Sequence, residues 1–167
     1  SIFPRIGDMQ VQMGIGEGAL GLALVGLPLG VQIALFFADK ILKFLGFKLV
    51  MCFGVPMLAI SLIVASFSLE PHSFFFALFA GGIAVGIVEV AVNLEADRIE
   101  YQIGKKIMNR SHSFWSLGFF TAGLLGALFS QNEISPTFHF IGSFFISSLL
   151  VLYFTLRYKI AGSRPNS

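Results

Sequence analysis

Charge is scarce in this sequence. Only 12% of its 167 residues are Asp, Glu, Lys or Arg, about half the roughly 25% of soluble domains. The apolar fraction is 56% and the mean hydropathy +0.84. A water-soluble domain of this size has too little interior to absorb that much apolar surface. Cysteine is nearly absent: Cys52 stands alone in an apolar run. That excludes a disulfide framework or a thiolate metal cluster and reads as a small core residue. His, Cys and Asp show no metal-ligand spacing, and no Ser/His/Asp set is recognisable. The stretch Gly14-Ile15-Gly16-Glu17-Gly18 lacks the preceding strand and the basic residue of a phosphate loop. Neither an enzyme nor a cofactor is therefore expected. Residues Ser1 to Gln12 contain no apolar core of a secretory signal. The formal net charge of +2 does not point to nucleic acid; it fits loop charges facing an anionic leaflet.

What charge there is falls in patches. Ten of the eleven Lys and Arg residues form three groups: Lys40, Lys43 and Lys48; Arg98, Lys105, Lys106 and Arg110; Arg157, Lys159 and Arg164. Between and before them lie five apolar stretches, residues 15–37, 48–69, 73–94, 112–131 and 134–157. Each is near the ~20 residues that a helix needs to cross a bilayer. Period-two alternation is missing, so a barrel is not expected, and helices satisfy their own backbone in lipid. The fold class expected is thus an all-α membrane protein with five visible transmembrane helices. The connectors around Glu70 and Glu133 carry no Lys or Arg. By the positive-inside rule they face outward, and the three basic groups face the cytoplasm. Residues 1–14 then lie outside, as the outer end of a missing first helix and its loop. Residues 158–167 form a cytoplasmic tail or the start of a central linker.

Glycine recurs at small-xxx-small spacing at Gly14/Gly18, Gly26/Gly30, Gly82/Gly86 and Gly118/Ala122/Gly126, which lets helices approach closely in a bilayer. Pro28 and Pro56 fall inside spans and are expected to kink them. Pro71 and Pro136 fall in connectors, where they delimit helices.

Few residues could carry chemistry. Glu89 is a carboxylate at mid-membrane depth. Such a group costs at least a few kcal/mol on insertion scales, so it faces an interior or a water-filled cavity, or carries a proton. That makes it a candidate proton acceptor for coupled transport. Asn93 follows one turn later on the same helical face. Glu95, Asp97, Arg98 and Glu100 crowd the cytoplasmic end of that helix, and Asp39 and Lys40 end the first visible span. They read as solvated helix ends or, more sharply, as a conformational gate of ion pairs. His112, with Trp115 one turn beyond, and His139 sit near span starts, where anchoring or capping is the ordinary role.

The stretch Gly81–Ala96, GGIAVGIVEVAVNLEA, resembles the fourth helix of the major facilitator superfamily. Gly104–Gly118, GKKIMNRSHSFWSLG, looks like the loop into its fifth helix in the bacterial branch related to fucose permease. The likeness implies helices two to six of a twelve-helix fold, within its N-terminal six-helix half. It also implies that Glu89 and Asn93 face a sugar cavity, with Glu89 in proton coupling. The family's loop motif Gly-x-x-x-Asp-x-x-Gly-Arg is matched at Asp39, followed by Lys40. Leu35 replaces its first Gly, and the next, Gly46, is displaced along the loop and followed by Lys48.

These readings converge on a secondary active transporter of the bacterial cytoplasmic (inner) membrane. It would move a small polar solute such as a sugar by alternating access, coupled to protons. Its partners would be the solute, protons, the lipid bilayer, and the missing first helix and C-terminal half. The alternative is a non-transporting membrane scaffold or solute sensor that retains the fold.

Overall fold

The computed structural model describes residues 1–162, which are helical almost throughout and contain no strand. A short 3-10 turn, Phe3–Arg5, leads into α1 (Ile6–Met13). Gly14 ends α1 in the left-handed conformation (φ 63°), its N–H returning to the last carbonyls of the helix, as glycine at a helix C-terminus commonly does. Then come α2 (Glu17–Leu24), α3 (Gly26–Ser66), α4 (Pro71–Ile103), α5 (Met108–Gln131) and α6 (Pro136–Arg157). Pro71 and Pro136 occupy first-turn positions, where a missing N–H leaves no bond unmade. The Ser135 hydroxyl accepts from the Phe138 N–H and caps α6.

Among the described residues, four helical stretches are long and apolar enough to cross a membrane: Glu17–Ser66, Pro71–Ile103, Met108–Gln131 and Pro136–Arg157. The first contains two of the five expected spans. At 1.5 Å per residue, α3 alone would measure about 60 Å, twice the hydrocarbon thickness. It is broken at Gly46, whose φ of 75° and ψ of 164° are far from helical, in a region reserved for glycine. Contacts with α4 show the consequence. Before the break, Gly26 meets Phe75, Gly30 meets Phe79 and Gly82, and Ala34 meets Gly86. Beyond it, Gly54 meets Val88 and Ser61 meets Gly81. Contact positions on α4 rise along the first half and fall along the second, so α3 reverses direction and its halves flank α4 antiparallel to each other. The two halves correspond to the expected spans 15–37 and 48–69. Instead of a loop, helix continues through Asp39, Lys40 and Lys43 and reverses at a single residue.

The apolar helix is interrupted between Leu24 and Gly26, where Pro28 lacks the N–H that would bond the Leu24 carbonyl one turn back. Other expectations need correction. Helical dihedrals continue through Pro56. Cys52 is only partly buried. Of the segment 158–167, residues 163–167 lie outside the described residues.

Small residues bring the helices together. Gly26, Gly30, Gly82 and Gly86 are buried where α3 crosses α4. A Cβ on Gly82 would collide with the Leu27 carbonyl oxygen, and one on Gly30 with that of Phe79. Ala65, Phe74, Ala77, Leu78 and Phe140 form the main core at one end of the bundle. Leu42, Val50 and Ala91 form a smaller one beside the Gly46 reversal.

Arg5, the basic residue outside the three patches, is buried. It pairs with Asp8 at 2.9 Å and donates to the Ile134 carbonyl, while the Ser130 hydroxyl donates to Asp8 at 3.3 Å. Gln12 donates to the carbonyls of Ser66 and Ser68, both at 3.0 Å. The N-terminal segment is thereby fastened across the ends of α3 and α5.

Candidate functional site

Glu89 and Asn93 lie one turn apart on α4 and line the same cleft, of about 200 Å³. The second half of α3 supplies Gly54, Val55 and Leu58 as one apolar wall; Ser111, His112 and Trp115 of α5 stand across it. Gly54 and Ala84 keep the α3–α4 wall thin. Glu89 is exposed and Asn93 partly buried, so the carboxylate opens to the cleft rather than into packed protein. The arrangement offers a carboxylate, an amide that both donates and accepts, an imidazole and an indole, on otherwise apolar walls. Most ligand pockets have this composition: a few polar groups fix orientation while apolar surface excludes water. His112 and Trp115 thus join a cleft where sequence reasoning saw interfacial anchors. Only folding α5 back onto α4 brings them there.

Of the residues expected to form a gate, Asp39 and Lys40 lie apart from Glu95 and Arg98. Asp39 pairs with Lys43 at 2.8 Å across one turn, both side chains mostly in solvent, and Lys40 is exposed. Such a pair contributes little, about 0.3–0.5 kcal/mol. Glu95, by contrast, is only 3% exposed. Its Oε1 accepts from the Tyr158 hydroxyl at 2.8 Å and from the Ala161 N–H at 2.6 Å. Its Oε2 meets Arg98 at 3.4 Å. The carboxylate therefore ties the end of α4 to the chain leaving α6. Tyr158 also packs its ring on Phe47, with centroids 5.5 Å apart, beside the Gly46 reversal. Glu100 Oε1 accepts from the N–H groups of Ile107 and Met108, at 2.6 and 2.7 Å, and fixes the α4–α5 connector. The sequence flagged Glu95 and its partner Arg98 as charged but not Tyr158, which lies 63 residues further on and carries no charge to mark it.

Burial, the hydrogen bond to Glu95 and that residue's negative charge push the Tyr158 hydroxyl up from 10.0 to about 12. A folded-state value above the unfolded one means that the protonated phenol is what the fold stabilises. This contribution is complete below about pH 10 and disappears as pH rises through about 12. Tyr158→Phe is therefore expected to lower stability by about 1–2 kcal/mol, evenly across neutral pH. The difference should vanish only in strong alkali. Thermal unfolding of the purified protein as a function of pH checks this; a difference that changes around neutrality would assign the effect to another group.

Four long apolar helices, mostly exposed along α5 and α6, define an integral, multi-pass, all-α membrane protein. The chain is similar to an uncharacterized MFS-type transporter from Yersinia pestis, with 26% identity over 124 residues. The matched region is 74% of this chain and 31% of that protein, so the chain spans about a third of the relative's length. No family model and no solved structure matches the chain.

Proposed function

We propose that this chain is part of the N-terminal half of a major facilitator secondary transporter, contributing helices two to six. In this reading it moves a small polar solute, such as a sugar, with protons across the bacterial cytoplasmic membrane by alternating access. The observation that carries the proposal is the Glu89–Asn93 pair, set on an apolar span and opening into a cleft built by three helices. A mid-membrane carboxylate beside a solute-sized cleft suits proton coupling, because binding and release of a proton change the cleft's charge. Substrate sites between helices near the membrane midplane are the rule in such transporters. The similarity to an MFS-type transporter supports the same reading, as does the likeness of Gly81–Ala96 to the family's fourth helix. In this proposal the gate is built on Glu95 and Arg98, with Asp39 and Lys40 forming a separate, solvent-exposed site on α3.

The whole protein, reconstituted in proteoliposomes with an imposed pH gradient, is expected to accumulate one member of a panel of radiolabelled sugars and related polar solutes. Glu89→Gln should abolish gradient-driven accumulation, while exchange of solute across the membrane without a gradient survives. Accumulation unchanged by Glu89→Gln would remove the proton role. Saturable binding without uptake would instead favour a sensor that keeps the fold.

A further inference from the structure

A second groove, of about 620 Å³, runs between the second half of α3 and α6 and shares no lining residue with the Glu89 cleft. Phe47 and Met51 form one wall, and Leu150, Val151 and Phe154 the other. The Phe47–Tyr158 ring contact closes one end of it, and far beyond its other end the two helices are joined again by the Ser66–Thr137 hydrogen bond. Along α6 the groove reaches from Ser147 to Arg157. Ten helical residues rise about 15 Å, half of the ~30 Å hydrocarbon core. α6 itself is long enough to cross the membrane once, and Ser147 lies at its midpoint. The groove thus occupies one leaflet, apolar within and cationic where it meets the interface.

The Arg157 guanidinium at that interface is exposed. It lies 4.6 Å from the centre of the Tyr153 ring and joins none of the ion pairs among the described residues. Lys48 and Lys159 adjoin the rim residues Phe47 and Tyr158 in sequence. We propose that this groove is a binding site for an anionic phospholipid. One acyl chain lies between α3 and α6, and the phosphate-bearing headgroup is held at Arg157. Depth and charge both select this occupant. A further transmembrane helix would cross both leaflets, whereas the groove spans only one. A lipid chain ends at mid-membrane, and cationic pockets between helices at the interface attract acidic headgroups.

Native mass spectrometry of the whole protein, with phosphatidylglycerol and phosphatidylcholine of identical chains, tests the site. Phosphatidylglycerol is expected to be retained about fivefold more strongly, the effect of one interfacial cation. Arg157→Gln should bring the ratio near one, and Arg157→Lys should keep it. Leu150→Trp, which fills the groove, should reduce retention of both lipids. Equal retention of the two lipids by the unmodified protein overturns the proposal without any variant. So does a preference that survives Arg157→Gln. A Met51→Cys thiol that stays unreactive after delipidation would show that another segment of the protein covers the groove, and would also overturn it.

Discussion

Gly82→Ala is expected to destabilise the bundle by about 3 kcal/mol or more, while Gly118→Ala leaves it unchanged or slightly more stable. Both glycines sit at small-xxx-small spacing inside apolar helices, and only their surroundings differ. A Cβ on Gly82 would strike the Leu27 carbonyl oxygen and stand 3.0 Å from both Gly30 Cα and Val31 N. These are backbone atoms, so no rotamer change relieves the collision; α3 and α4 must move apart along their shared face. Overpacking a close-packed interior ordinarily costs about 1–3 kcal/mol, and immovable neighbours place this case at the upper end. In a bilayer the loss is not offset by hydrophobic association, since lipid tails are as apolar as the helices. Around Gly118 no atom lies within 4 Å, so alanine there gains helix propensity of about 0.5–1 kcal/mol. Thermal unfolding midpoints of the two variants of the whole protein compare them directly. Equal midpoints would mean that the α3–α4 seam is not the tight contact described.

That comparison also marks how far the sequence can be read. Stretches of membrane length with little charge announce helices, because lipid leaves the backbone no other economical solution; α4, α5 and α6 run through the last three of them, α4 continuing to Ile103, beyond the 73–94 read from the sequence. Pro71 and Pro136 announce helix starts for a local reason. Spacing of glycines is a weaker guide. Gly26/Gly30 and Gly82/Gly86 face each other across a helix contact, but a Cβ added at Gly14, Gly18 or Gly118 would meet no packing neighbour within 4 Å. Periodicity places residues on one face without saying what that face meets. Gly46 shows a different limit: the basic stretch around it looks like a loop, yet helix persists to the one residue whose dihedrals reverse the chain. At the candidate site, Glu89 and Asn93 could be paired by arithmetic along one helix. His112, Trp115 and Tyr158 could not, because their positions depend on how α5 and α6 fold back on α4.

Glu95→Ala is expected to cost about 3–5 kcal/mol, the usual loss when one partner of a buried charged cluster is removed. Alanine would leave the Tyr158 hydroxyl, the Ala161 N–H and the Arg98 guanidinium without the acceptor they now share. Arg98 is still about a quarter exposed and can recover water; Tyr158 and Ala161 are themselves only partly buried, so the loss falls at the lower end of that range. Glu95→Gln keeps one acceptor oxygen and should cost less than half as much. The chain after α6 is the segment released, so limited proteolysis beyond Tyr158 should accelerate in Glu95→Ala and hardly at all in Asp39→Ala, whose pair is solvent-exposed. A double-mutant cycle between Glu95→Gln and Tyr158→Phe should show a coupling of about 0.5–3 kcal/mol, as groups in one hydrogen-bonded network do. If the two effects simply add, the bond does not hold α4 to α6. If they couple, the Glu95–Tyr158 bond is part of what holds the end of α4 to the chain leaving α6.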